Sequence, residues 1–179
     1  HKAREAAGAV EAEASWGFHM YYDDTPPGLE GSLKGCWAYV HAQSSASLSP
    51  AMYAEFVQPY NERIASMFRR VYYHGCEDLS AKCAVIAKLP NLRLFHVSPW
   101  TPMEPVLREL GGSVAYEVHA HPTNVLFANT PEETRRELRR LHSEASGSQH
   151  VLKLCDVETV DDRGEALKRW AAEAREAVG

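Results

Sequence analysis

His74 and Cys76 stand two residues apart where the run Val71-Tyr72-Tyr73 gives out, and Cys155 closes a second run, Val151-Leu152-Lys153-Leu154. Two thiols and an imidazole are three of the four ligands a tetrahedral zinc ion takes. A catalytic zinc keeps its remaining position for water or substrate. A His-x-Cys pair alone specifies little, but other reactive side chains fall at the same kind of place. Asp23-Asp24, His96, and His119 with His121 each follow a short apolar run. His119 and His121 flank Ala120, so both can point to one side of an extended chain. The fourth ligand stays open between Glu77, Asp24, His119 and no protein group at all.

Each of these residues also has a plain structural reading. A free cysteine is commonly a small buried hydrophobe, and a histidine beside it can be a hydrogen-bonded core residue. Asp23-Asp24 can cap the loop before Pro26, and Ser98-Pro99-Trp100 after His96 can simply close a turn. Cys83, beside Ala84 and Val85, suits core packing. The mixed charges from Glu132 to Arg140 suit the solvated face of a helix. Tyr53, Phe56 and Tyr60, at helical spacing, suit core or interface.

What separates the two readings is the set of elements that would carry these residues. Residues 2–15 read as helix, 17–22 as strand, and 25–35 as a loop with Pro26, Pro27 and three glycines. Residues 36–40 are short and apolar and can form another extended piece. Ser49-Pro50 supplies an N-cap with proline in the first turn, predicting a helix from 50 toward 70 with a bend at Pro59. Strand and helix then alternate: 71–73 with 79–88, 92–95 with 103–110, 114–118 with 131–145, and 150–154 with 163–177. Gly111-Gly112 ends the second of these helices, and Thr130 caps the third. Alternation at this spacing predicts parallel strands joined by βα crossovers, an α/β fold of the (β/α) barrel type. In such a barrel the C-terminal strand ends converge on the active-site face, which is where the reactive residues above would lie. Five strands, counting 17–22, are too few for a complete eight-stranded barrel.

The 179 residues suit one domain, 1–179, with a core of its own. Hydrophobic content of 45% and charged content of 24% are ordinary for a globular protein. A net charge of −5 argues against a general nucleic-acid surface. No apolar run approaches the ~20 residues needed to cross a bilayer, and no secretory signal is evident at the start. Cys36, Cys76, Cys83 and Cys155 are few and widely spread, which suits free thiols in a reducing cytoplasm. No glycine-rich phosphate loop is present. The chain begins at His1 rather than methionine, which reads as a fragment or a processed product.

Ser49-Pro50-x-Met52-Tyr53-x-x-Phe56-Val57-x-Pro59-Tyr60, the His74-x-Cys76 strand end and the closing Cys155 segment together resemble the C-terminal half of the uroporphyrinogen decarboxylase superfamily. Asn91-Leu92-Arg93-Leu94-Phe95-His96-Val97-Ser98-Pro99-Trp100 resembles a segment of a less characterised branch of it. The resemblance runs from about Ser15 to the C-terminus and implies the C-terminal half of a TIM barrel. That superfamily holds decarboxylases and cobalamin-dependent methyltransferases that act with thiols such as coenzyme M. Its methyltransferases carry a His-x-Cys…Cys zinc motif, which His74, Cys76 and Cys155 match. The resemblance therefore implies zinc as cofactor, a small-molecule thiol as acceptor, and a corrinoid, carried by a partner protein or as substrate, as methyl donor. His119 or Asp24 would position the substrate, with Asp23, His96, His121, Trp37 and Gln43 lining its site. Leu154 stands where the methyltransferases often have glycine. A metal-free decarboxylase or lyase acting on a tetrapyrrole-like carboxylate is the second expectation, and a non-catalytic half-barrel subunit the third. A half-barrel needs its missing half, from the same chain, a second polypeptide or another copy.

Overall fold

The computed structural model describes residues 25–41, 43–154 and 156–179. The helix and strand expected over 2–15 and 17–22, with Asp23 and Asp24, lie outside the described residues, as does Cys155. Among the described residues five parallel strands form one sheet in sequential order. They are β1 (Trp37–His41), β2 (Arg70–His74), β3 (Leu92–Val97), β4 (Ala115–Ala120) and β5 (His150–Leu154). The piece at 36–40, read from sequence only as able to be extended, is thus a strand and the first of the described five. Between them lie α1 (Pro50–Phe56), α2 (Gln58–Met67), α3 (Cys83–Ile86), α4 (Met103–Leu110) and α5 (Pro131–Glu144), and α6 (Gly164–Val178) follows β5.

Local chemistry accounts for most element ends. The Ser49 side chain accepts from the Met52 amide at the start of α1, as an N-cap should. Thr130 and Glu133 form a reciprocal capping box on α5. Gly111 takes φ +68°, the left-handed conformation that ends α4. The helix expected from 50 toward 70 is two helices. The break falls at Val57, in a non-helical conformation (φ −120°, ψ −50°), and Pro59 sits in the first turn of α2. Proline there lacks only an amide hydrogen that a helix start leaves unbonded, so the chain breaks before Pro59 rather than bending at it. The helix expected over 79–88 is shorter than the pattern implied, a 3-10 turn at Ser80–Lys82 running into α3.

Register divides the sheet into two unlike faces, because successive side chains alternate sides. Ala38, Val40, Val71, Tyr73, Phe95, Val97, Tyr116, Val118 and Ala120 share one face and are buried in a single core. That core includes Tyr53, Ile86, Val106, Leu138 and Trp170, one residue or more from nearly every helix. Cys83 is wholly buried in it and Tyr53 as well, whereas Phe56 and Tyr60 are exposed. The opposite face carries Trp37, Tyr72 and Leu94 as a separate small cluster. Helices packed on one face of a sequentially ordered parallel sheet are the arrangement of a barrel wall, unlike a doubly wound sheet, which has helices on both faces. The second face is therefore the barrel interior. Among the described residues no helix is long and apolar enough to cross a membrane.

Candidate active site on the inner face

Towards the C-terminal ends of β2, β3 and β4 the inner face changes from apolar to ionisable. Trp37, in register with Arg70 at the starts of β1 and β2, packs with Tyr72 and Leu94. Further along come His74, the last residue of β2, then His96 and, in register with it on β4, Glu117. His119 follows two residues later, opposite Lys153 of β5. The three imidazoles form a row. The rings of His74 and His96 are 4.1 Å apart between centroids and nearly perpendicular, and those of His96 and His119 are 3.9 Å apart.

Cys76 is brought to this row by a pinned loop. The Glu77 carbonyl accepts hydrogen bonds from Ser98 Oγ (2.8 Å) and Thr101 Oγ1 (2.9 Å). The Leu79 amide donates to Thr101 Oγ1, and Ser45 Oγ donates to the Glu77 carboxylate. Gly75 lies against Leu79, whose Cδ1 would be 2.9 Å from an added Cβ, so a larger residue would force that side chain to shift. The result places Cys76 Sγ 3.7 Å from His74 Nε2. That is close to the ~3.5 Å expected between a sulfur and a nitrogen bound to one tetrahedral zinc. One ligand atom each from His74, Cys76 and His96 lie within 4.8 Å of one another, and so do those of His96, Glu117 and His119. Asp156 Oδ2 is 4.0 Å from Cys76 Sγ on the other side.

Two nitrogens in the row are buried without a hydrogen-bond partner, His74 Nδ1 and His96 Nε2. Buried polar atoms are ordinarily paired, so the orphaned Nε2 of His96 fits a metal-binding role; on His74 it is Nε2, not the orphaned Nδ1, that lies against the thiol. Burial, reinforced by His119 nearby, draws the pKa of His74 down to about 4 against the opposing pull of Glu117. Burial likewise lowers that of His96. Both rings are thus neutral at pH 7, the form that ligates metal. Burial raises the Cys76 thiol, and Asp156 and Glu77 raise it further. A bound cation would reverse that.

Glu117 is the hub of the inner face, wholly enclosed yet ionised. Tyr72 Oη donates to its Oε2 at 2.5 Å, His119 Nε2 lies 3.1 Å from the same oxygen, and Lys153 Nζ reaches Oε1 at 3.0 Å. Burial alone would raise the carboxyl. The bonds from His119 and Tyr72, with the charge of Lys153, outweigh it and bring the pKa to about 2. A cavity of about 160 Å³ opens beside this group, bounded by Cys76, His96, His119, His121, Trp100 and Asp156. The rings of Trp100 and His121 lie 4.9 Å apart between centroids and nearly perpendicular. A larger groove of about 940 Å³ lies between α4 and α5 and reaches His119 and His121 from the helix side.

The structure thus brings together His74, Cys76, His96, His119 and His121 from the residues expected in the site. It places two others apart from them. Trp37 is at the far end of the inner face under Arg70, and Gln43 is exposed in the turn after β1. Asp23, Asp24 and Cys155 lie outside the described residues, although Leu154 before Cys155 ends β5 and Asp156 after it faces Cys76. Sequence reading missed Glu117, Tyr72 and Lys153. The signal for the first was a lone acid in the apolar strand Val114-Ala115-Tyr116-Glu117-Val118, at the same parity as His119.

A one-sided, sequential βα sheet with its reactive groups at the C-terminal strand ends defines part of a TIM-barrel enzyme fold. The family model for uroporphyrinogen decarboxylase (URO-D) matches residues 35–171, and the chain belongs to that family. No match to the chain is found among curated proteins. The family covers decarboxylases and corrinoid-dependent methyltransferases, and its members are enzymes.

Proposed function

We propose that this protein is a zinc-dependent methyltransferase that moves a methyl group between a corrinoid and a thiol-type acceptor. The observation that carries the reading is the convergence of His74, Cys76 and His96, with Nε2 of His96 buried and left unpartnered. In this reading His74, Cys76 and Cys155 would hold the metal, and His96, expected from sequence to line the substrate site, would be a fourth ligand only in the resting site, its position given over to the acceptor thiol. A bound zinc ion supplies the positive charge that keeps an acceptor thiol ionised at neutral pH. The chain's own residues shape the reaction around it. The cavity beside Cys76 and His96 admits a small acceptor, with Trp100 and His121 forming a wall against its organic part. His119, tethered through Nε2 to Glu117, faces the same cavity and is placed to accept a proton. Asp24 and Asp23 remain substrate-positioning assignments from sequence. The corrinoid arrives on a partner protein or as a substrate, and the rest of the barrel comes from the same chain, a second polypeptide or another copy.

A second reading, a metal-free lyase acting on a tetrapyrrole-like carboxylate, has one observation in its favour. Tyr72, His119 and Lys153 all bond to Glu117, which gives the inner face a buried acid–base network of protein groups, and Lys153 is partly open to the barrel interior.

Elemental mass spectrometry of the purified protein, with Cys76→Ser and Cys155→Ser variants, separates the two readings. About one zinc per chain in the wild type, lost in both variants, supports the metal site. Wild-type protein without zinc after growth in zinc-supplemented medium would sink the methyltransferase reading and favour the lyase.

A further inference from the structure

We infer that Tyr72 and Glu117 are positioning residues for the metal site, holding His96 in the tautomer whose Nε2 carries a lone pair. The inference rests on the zinc reading above and concerns groups that would not themselves touch the metal. A proton must lie between Tyr72 Oη and Glu117 Oε2, which are 2.5 Å apart. Glu117 already faces Lys153 Nζ at 3.0 Å and His119 Nε2 at 3.1 Å, donors that hold it as a carboxylate, so the proton belongs to the tyrosine. With its only hydrogen committed, Tyr72 Oη meets His96 Nδ1, 3.4 Å away, solely as an acceptor. That bond is long, but both residues are about 2% exposed or less. Nδ1 then carries the hydrogen of the neutral ring, and Nε2 carries the lone pair.

That nitrogen is the one buried without a hydrogen-bond partner. An Nε2–H at that spot would be an orphaned buried donor, whereas a bare Nε2 is ready to ligate. Metal-bound histidines are ordinarily fixed in this way, by a partner on the other ring nitrogen. Here the partner is a tyrosine hydroxyl, itself fixed by a carboxylate on the next strand but one. Glu117 therefore acts at two removes from the metal, and Lys153 acts through Glu117. The same carboxylate takes the Nε2 hydrogen of His119, so one acid sets the tautomers of two neighbouring histidines.

The test reads the tautomer directly in metal-free protein by long-range ¹H–¹⁵N correlation of labelled histidines, with His96 assigned by its loss in His96→Gln. The wild type is expected to show His96 protonated at Nδ1 and bare at Nε2, and Tyr72→Phe to show a mixture. Competition of added zinc chloride against a chromophoric chelator is expected to find affinity reduced about 10- to 100-fold in Tyr72→Phe. His96 protonated at Nε2 in the wild type overturns the inference. So does a Tyr72→Phe protein with unchanged tautomer and unchanged zinc affinity. Should Tyr72→Phe fail to fold, the wild-type tautomer still decides. Wild-type protein that has the bare Nε2 but takes up no zinc overturns the metal reading instead, while the orienting network stands.

Discussion

Tyr72 and Tyr73 are neighbours in the chain and belong to different worlds. Tyr73 points to the helices, stacks on Phe95 at 5.8 Å between centroids and shares a 2.7 Å hydrogen bond with Tyr53. Tyr72 points into the barrel and gives its proton to Glu117. The same contrast repeats along the sheet, with Phe95 behind His96 and Val118 between Glu117 and His119. One face is an apolar core that the hydrophobic effect stabilises. The other buries a carboxylate and two imidazoles, with a third half-buried, groups that burial penalises unless they are paired. A sheet whose outer face supplies the stability can carry an inner face arranged for chemistry, the division of labour expected of enzyme scaffolds.

The strongest way to break this contrast is on the outer face. Phe95→Ala should cost about 3–5 kcal/mol, read as a shifted midpoint in urea unfolding. A loss below about 1 kcal/mol would mean that the outer face is not the main source of stability. Acid should come next and act on the inner face. The pKa of His74 falls from 6.5 unfolded to about 4 folded, so the unfolded chain binds more protons between those values. Stability should therefore decline as pH drops from about 6.5 towards 4, by up to about 3 kcal/mol. Glu117, lowered from 4.5 to about 2, extends the decline over that lower window. Unfolding midpoints of metal-free protein at pH 7, 5.5 and 4 check this, and a flat profile contradicts it. Tyr73→Phe should have the smallest effect, about 1 kcal/mol for one buried hydrogen bond, and leave zinc affinity unchanged. Equal weakening of zinc binding by Tyr73→Phe and Tyr72→Phe would erase the distinction between the faces.

Most of the scaffold was legible because its signals are local. Ser49-Pro50, the Thr130–Glu133 box and Gly111 mark helix ends through the backbone hydrogen bonds they satisfy or the φ they permit. His74, Cys76, His96, His119 and His121 were legible because a βα repeat puts strand ends in one place. Glu117 and Lys153 were not, because their roles depend on register between strands. Glu117 in the middle of an apolar run looks like an exposed strand residue until His96 is set opposite it. Trp37 shows the reverse error: the resemblance set it in the substrate site, but its place at the start of β1 puts it at the far end from the imidazoles. Val57, which breaks the long helix, carries no breaker signal of its own. The local cue was Pro59, two residues on.

Each strand of this sheet pairs with the strand next to it in sequence. The wall can therefore be laid down in the order of synthesis, each βα unit docking on the one before it as the chain leaves the ribosome. His74, Cys76 and His96 belong to two consecutive units. Glu117 arrives one unit later and Lys153 last of all. On the zinc reading a nascent chain thus holds three of the proposed ligands, His74, Cys76 and His96, before Glu117, Lys153 and Cys155 exist, and a metal ion captured early would hold β2 and β3 together while the rest is still being made.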